Sequence, residues 1–135
     1  MERKKYRGRI APTPSGYLHI GHLRTFEIAA QRAAENGGVL VYRMEDLDVL
    51  RCKEEYVKAA VDDLKLAGLN WDEGIDKGGN FAPYRQSERG GIYWEWLEKL
   101  VALGLVYPCS LTRSQLKDFP KDSDREALVP SCAGR

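Results

Sequence analysis

Pro12-Thr13-Pro14-Ser15-Gly16-Tyr17-Leu18-His19-Ile20-Gly21-His22 separates a short strand-like run, Arg7-Gly8-Arg9-Ile10-Ala11, from a helical pattern. A strand that stops at prolines and glycines and re-enters as a helix predicts an α/β turn of the kind that holds a nucleotide. Unpaired backbone N–H groups and the positive end of a helix dipole would then face a phosphate. The chain's two histidines, His19 and His22, fall i and i+3 across the first helical turn and would project the same way as donors to phosphate oxygens. Gly21 between them would let an adenine or ribose approach the backbone without meeting a Cβ. The plainer alternative is a proline-rich loop capping an ordinary helix, with both imidazoles exposed.

Working outward, Leu23, Phe26, Ala30 and Ala33 share one face of a helix expected over residues 21–36, and Gly37-Gly38 would end it. Val39-Leu40-Val41-Tyr42-Arg43-Met44 reads as a parallel strand covered on both sides, with the acidic run Glu45-Asp46-Leu47-Asp48 at its C-terminal end. A second helix over residues 53–67 carries Val57, Ala60, Val61 and Leu64 at helical spacing, and Gly68-Leu69 supply a Schellman-type stop. Residues 71–83 read as a polar, glycine-rich connection, with Tyr84-Arg85-Gln86 extended behind it. Ser87 is the expected N-cap of a third helix whose buried stripe would be Tyr93, Trp96, Leu97, Leu100 and Val101, ending at Gly104-Leu105. Trp96 is expected in the core and Trp94 at the surface or an interface. Thr112 would cap a short helix through Leu116, and the chain beyond is charged and irregular.

Strand, helix, strand, helix, helix is the opening of a doubly wound parallel sheet with right-handed crossovers. The expected fold is α/β, half of a Rossmann-type sheet with helices on its faces, over residues 1–116. Residues 117–135 form an irregular tail.

Composition is that of an ordinary globular chain: 135 residues, 43% hydrophobic and 30% charged, with a net charge of +1. This length supports one domain and a sizeable core, and the charge balance argues against a dense nucleic-acid patch. No membrane-length apolar stretch or signal-peptide pattern is present, so the cytoplasm is the expected compartment. Cys52, Cys109 and Cys132, an odd number at irregular spacing, do not read as a disulfide framework.

Arg9 through Gly16, His19-Ile20-Gly21-His22, Arg43-Met44-Glu45-Asp46-Leu47-Asp48 with Arg51, and Tyr84-Arg85-Gln86-Ser87-Glu88-Arg89 together resemble the glutamyl-tRNA synthetases of class I. The Glu-Asp-Leu-Asp variant and the short chain look most like the glutamyl-queuosine tRNA(Asp) synthetase branch. The resemblance implies glutamate activation: the amino acid's carboxylate attacks the α-phosphorus of ATP and expels pyrophosphate. That chemistry needs positioned donors and no protein nucleophile.

Within the resemblance, His19 and His22 match the catalytic signature, and Pro14, Gly16 and Gly21 complete the ATP-binding set. Arg9 would clamp the glutamate side-chain carboxylate as a planar fork, Glu45 would hold the ammonium group, and Ala11 and Thr13 would contact the amino acid. The bland alternative for Arg9 and Glu45 is a salt bridge between neighbouring strand ends. Asp46 and Asp48 form a carboxylate pair that suits magnesium or, equally, a solvated acidic loop. ATP is expected with Mg2+, and tRNA as a partner met mainly through sequence beyond this chain.

Cys109 and Cys132 match the ends of a zinc motif found in the family. Leu111 and Leu128 stand where its other ligands would fall, so no structural metal is expected, zinc included. The lysine-bearing second signature of class I is missing as well. Losing one transition-state contact costs on the order of 3 kcal/mol, so alternatives to catalysis are a non-catalytic nucleotide-binding or protein-interaction module and a small nucleotidyltransferase. The strand bearing Arg9 is central in the complete fold, so here its open edge should be covered by self-association, by a partner or by the tail.

Overall fold

The computed structural model describes residues 6–106 together with 108, 112, 114 and 115. Cys109, Leu111, Leu116, Leu128, Cys132 and the expected tail lie outside the described residues. The chain divides into two units at Gly90/Gly91.

In the first unit, β1 (Arg7–Ile10), β2 (Val39–Tyr42) and β3 (Glu73–Gly74) form a parallel sheet in the order β1-β2-β3. Arg9 pairs with Val41, Ile10 with Tyr42, and Tyr42 with Gly74. Two helices connect the strands, α1 (Ile20–Glu35) and α2 (Glu54–Leu66). The architecture is therefore α/β with a doubly wound, Rossmann-type beginning, as the sequence order implies.

Alternation along the strands decides where the core sits. Ile10, Leu40 and Tyr42 are buried together with Met44, Trp71, Ala33 of α1 and Val57 and Leu64 of α2, while Leu23, Phe26, Ala30 and Val61 pack against this cluster. The apolar faces read from helical spacing are the faces that bury. Both helices end as the sequence suggests: Leu69 N–H bonds Leu64 C=O at 3.0 Å and Gly68 N–H bonds Lys65 C=O at 3.0 Å, the two bonds of a Schellman motif. Gly68 takes φ +77°, a conformation that favours glycine.

β3 is absent from the sequence-based reading, which takes residues 71–83 as connection only. Its two residues are too few to show a period, and side chains on distant segments fasten it. Arg7 forks onto Glu73 through bonds of 2.8 and 2.7 Å, and the Tyr84 hydroxyl donates to the same carboxylate. The extended path expected at residues 84–86 is present only in part: Arg85 bridges in parallel to Met44, whose N–H donates to Tyr84 C=O at 2.9 Å, whereas Gln86, its N–H bonded to Met44 C=O at 3.0 Å, already has helical backbone (φ −66°, ψ −37°) and leads into the next turn.

The second unit contains most of α3 (Gly90–Ala102). Two expectations are corrected here. Ser87 is not the N-cap of α3, because residues Ser87–Arg89 form a 3-10 turn and the Ser87 hydroxyl donates to Asp46 instead. No residue of α3 is buried, and Trp96 is 60% exposed, as are Leu97, Leu100 and Val101 to lesser or similar extents. Periodicity identifies the apolar side of a helix, whereas burial requires a second layer upon it. Thr112 does cap its turn: Thr112 N–H donates to Gln115 Oε1 at 2.8 Å, and Gln115 N–H to Thr112 Oγ1 at 3.4 Å. Among the described residues no helix is long and apolar enough to cross a membrane.

Candidate functional site

His19 is the N-cap of α1, with extended backbone (φ −122°, ψ 168°). Its imidazole does what a serine or aspartate usually does at this position: Nδ1 accepts from Gly21 N–H at 3.1 Å, while His22 Nδ1 accepts from His19 N–H at 3.3 Å. The two rings stack, with centroids 3.7 Å apart and planes 29° from parallel. An accepting Nδ1 carries no proton, so each neutral ring bears its proton on Nε2, and Nε2–H is the donor each can offer to a ligand.

This cap changes two readings of the turn. Gly21 N–H already has an acceptor in His19, and His22 N–H bonds His19 C=O at 2.9 Å, so neither is an unpaired donor awaiting phosphate. The helix satisfies these first-turn groups itself, which leaves the two Nε2–H groups and the dipole as what this end of α1 can offer an anion. At Gly21, the position a Cβ would occupy lies 3.0 Å from Cε1 and 3.1 Å from Nδ1 of the His19 ring. The space that glycine keeps open here is filled by His19.

Below the cap, Ala11, Thr13, Gly16 and His22 line a hollow of about 330 Å³, joined by Tyr17 and Phe26. Pro14 is fully buried beneath it, and its carbonyl accepts from Lys53 N–H at 3.0 Å, which seats the start of α2 against the turn. Glu45, half-buried, is fastened from the other side: its N–H donates to Pro12 C=O at 3.0 Å, and Arg43 N–H donates to Ile10 C=O at 3.0 Å. The acidic end of β2 and the proline turn thus share backbone bonds.

Arg9 projects elsewhere. It lines a separate hollow of about 300 Å³ with Arg7, Val41, Arg43, Tyr84 and Arg89. The structure brings Ala11, Thr13, Gly16 and His22 into one cavity and sets Glu45 beside its wall, but it does not bring Arg9 into that cavity. Among the described residues Arg9 and Glu45 form no ion pair.

The carboxylates considered for magnesium have other occupations. Asp46 is buried and accepts from Ser87 N–H at 2.9 Å and from the Ser87 hydroxyl at 2.8 Å. Asp48 accepts from Arg51 Nε at 2.8 Å. Among the described residues no group of three or more His, Cys, Asp or Glu is placed to hold a metal ion. Arg85 forks onto Glu54 at 2.9 and 2.7 Å, and this hydrogen-bonded pairing lowers the Glu54 pKa and raises that of the guanidinium. Cys52 is half-buried, and desolvation pushes its thiol pKa up, away from reactivity.

The Asp46–Ser87 pair joins residues 41 apart, and the sequence carries no local signal of it. The histidine cap could have been found from His19 and His22 at the spacing of a capping box, had imidazole nitrogens been counted among capping acceptors.

The profile of the family described as tRNA synthetases class I (E and Q), catalytic domain, matches residues 5–130. A glutamate–tRNA ligase of Corynebacterium urealyticum is 45% identical over 120 residues, which is 89% of this chain and 24% of that protein. A glutamyl-Q tRNA(Asp) synthetase of Nitratidesulfovibrio vulgaris is 45% identical over 127 residues, 92% of this chain and 39% of that protein. In three dimensions the chain is similar to a glutamate tRNA ligase of Elizabethkingia meningosepticum solved with its amino acid. That likeness has a TM-score of 0.77 at 36% identity and covers 84% of this chain and 23% of that one. The chain thus spans between about a quarter and two-fifths of the length of the relatives it matches. With the proline turn, the histidine-capped helix and the parallel sheet in agreement with a match over nearly the whole sequence, this chain belongs to the class I (E and Q) tRNA synthetase catalytic-domain family.

Proposed function

We propose that this chain forms the ATP- and glutamate-binding part of a glutamate-activating site, where glutamyl-adenylate is made for transfer to tRNA. The observation that carries the reading is the cavity lined by Ala11, Thr13, Gly16 and His22, with Glu45 bonded to its wall through Pro12. In the reaction, a carboxylate oxygen of glutamate bonds to the α-phosphorus and the bond to the bridging oxygen breaks, so pyrophosphate leaves with that electron pair. The Nε2–H groups of His19 and His22 donate to α-phosphate oxygens as they gain charge, beside a turn in which Gly16 lines the cavity while Pro14, buried beneath, and Gly21, covered by His19, act through the path of the backbone. Glu45 meets the ammonium group and Arg9 the side-chain carboxylate, with Ala11 and Thr13 against the amino acid. Asp46 accepts from Ser87 and Asp48 from Arg51, so these two side chains would leave Mg2+ to the triphosphate oxygens, where it would neutralise charge on the leaving pyrophosphate.

A second reading is a non-catalytic nucleotide-binding or protein-interaction module. It is favoured by the separate hollows of Arg9 and His22. Glutamate-dependent ATP–pyrophosphate exchange, with His19→Ala and Arg9→Ala as controls, tests the two. Exchange abolished by either substitution supports activation, whereas no exchange with retained ATP binding selects the module.

β1 lies at one edge of the described sheet, and this edge is the expected docking place for a covering strand. An antiparallel β1–β1 pair that kept one sheet face continuous would set Arg7 opposite the copy's Arg9, and like charges directly opposite are destabilising. A partner or a further segment of the polypeptide fits the edge better than a second copy. Light scattering that finds a stable dimer would reverse that preference. The compartment proposed is the cytoplasm, in keeping with the irregular cysteine spacing.

A further inference from the structure

Asp46 is the single buried charged residue among those described, with 7% of its surface exposed. A carboxylate is costly to bury unless its oxygens are satisfied. Here one residue satisfies both: Ser87 N–H donates to Oδ1 and the Ser87 hydroxyl to Oδ2. Arg85 Nη1 stands 3.8 Å from Oδ2, itself held by its fork onto Glu54.

The backbone around Asp46 is bonded on two sides. Met44 is joined to Tyr84 and Gln86, and Glu45 to Pro12. Residues 44–46 therefore lie between the proline turn and the 84–87 segment. Without the Asp46 side chain, the backbone bonds of Met44 would remain on the far side, but nothing would fix the chain just beyond Glu45 to Ser87.

We propose that Asp46 is a positioning residue for Glu45: its two bonds to Ser87 keep residue 45 seated against Pro12, and so hold the Glu45 carboxylate where the ammonium group of an amino-acid substrate docks. This rests on the reading of Glu45 as the ammonium ligand.

Two measurements on the 135-residue chain separate this proposal from the functional reading beneath it. The first uses no ligand. Amide hydrogen exchange at Glu45 is expected to quicken about tenfold or more in Asp46→Asn and in the milder Ser87→Ala, which keeps the Ser87 N–H bond, while the α2 amide of Leu64 exchanges unchanged. Unaltered exchange at Glu45 in both variants overturns the proposal, whether or not any ligand binds.

The second compares L-glutamate with glutarate, which has both carboxylates but no ammonium group, by titration calorimetry. Asp46→Asn is expected to weaken glutamate about tenfold relative to glutarate, and to add less than twofold when Glu45→Gln is already present. Equal weakening of both ligands means a merely structural Asp46 and overturns the proposal. Failure of the unsubstituted chain to bind glutamate overturns the functional reading instead, and the exchange measurement then decides whether Asp46 holds residue 45.

Discussion

Replacing Gly21 by alanine separates the stability of α1 from the orientation of its imidazoles. An added Cβ would sit 3.0 Å from Cε1 and 3.1 Å from Nδ1 of His19, so the ring must give by a few tenths of an ångström, and with His22 stacked on it the expected response is to turn out of the cap. The bond from Gly21 N–H to Nδ1 then goes, and losing an N-cap costs about 1 kcal/mol. Alanine in place of glycine returns a comparable amount, at most about 1 kcal/mol, through helix propensity. The two effects nearly cancel, and chemical denaturation should place Gly21→Ala within about 0.5 kcal/mol of the parent. The imidazole does change. Long-range proton–nitrogen correlation spectra of the parent should show His19 with its proton on Nε2, and the variant should show a mixture of tautomers together with weaker ATP binding. A variant that gains the full alanine increment and keeps the parent's His19 spectrum would show that the ring has room to spare, and the cap argument would fail.

Three further outcomes follow from the remaining contacts. Arg7 and the Tyr84 hydroxyl hold the Glu73 carboxyl down to about 2 from an ordinary 4.5, so its contribution to stability is complete above pH about 4.5. Below that the unfolded chain takes up the proton first, so the stability gap between the parent and Glu73→Gln should narrow as pH falls and close near pH 2 in urea melts. Leu64 is fully buried, and Leu64→Ala should cost about 2–5 kcal/mol by the same assay. Arg9 is exposed and makes no ion pair among the described residues, so Arg9→Ala should shift stability by no more than about 0.5 kcal/mol. Calorimetric loss of glutamate affinity in that variant would locate its role in the ligand, whereas a large loss of stability would make Arg9 structural.

Most of the framework is legible because it obeys local periods. Leu23, Phe26, Ala30 and Ala33, and then Val57, Ala60, Val61 and Leu64, recur at helical spacing and find the core. Glycine at the helix ends marks real stops, since the bonds of a Schellman motif lie within six residues. What escapes local reading is decided at a distance. Glu73–Gly74 is a strand because Val41 and Tyr42 accept it as a neighbour, and Glu73 is anchored by Arg7, 66 positions earlier. Ser87 has the chemistry of a cap, but a buried carboxylate from another segment claims it. Trp96 sits on a helical stripe and still faces solvent, because a stripe does not specify its covering layer. Within the candidate site, the glycine and the two histidines are evident from their order. That the imidazoles close the helix on each other follows only from rotamers and distances.

The bonds from Glu45 to Pro12, from Arg43 to Ile10 and from Lys53 to Pro14 run between main-chain atoms. A main-chain amide is indifferent to the side chain it carries, so this scaffold survives exchange of the groups that face a ligand. If Thr13 and Glu45 meet the substrate as proposed, descendants of such a chain can retune which small molecule they prefer there without re-solving how the loop is braced. Replacement of Pro12 or Pro14 gives no such licence, since a different path there would carry away the acceptors themselves.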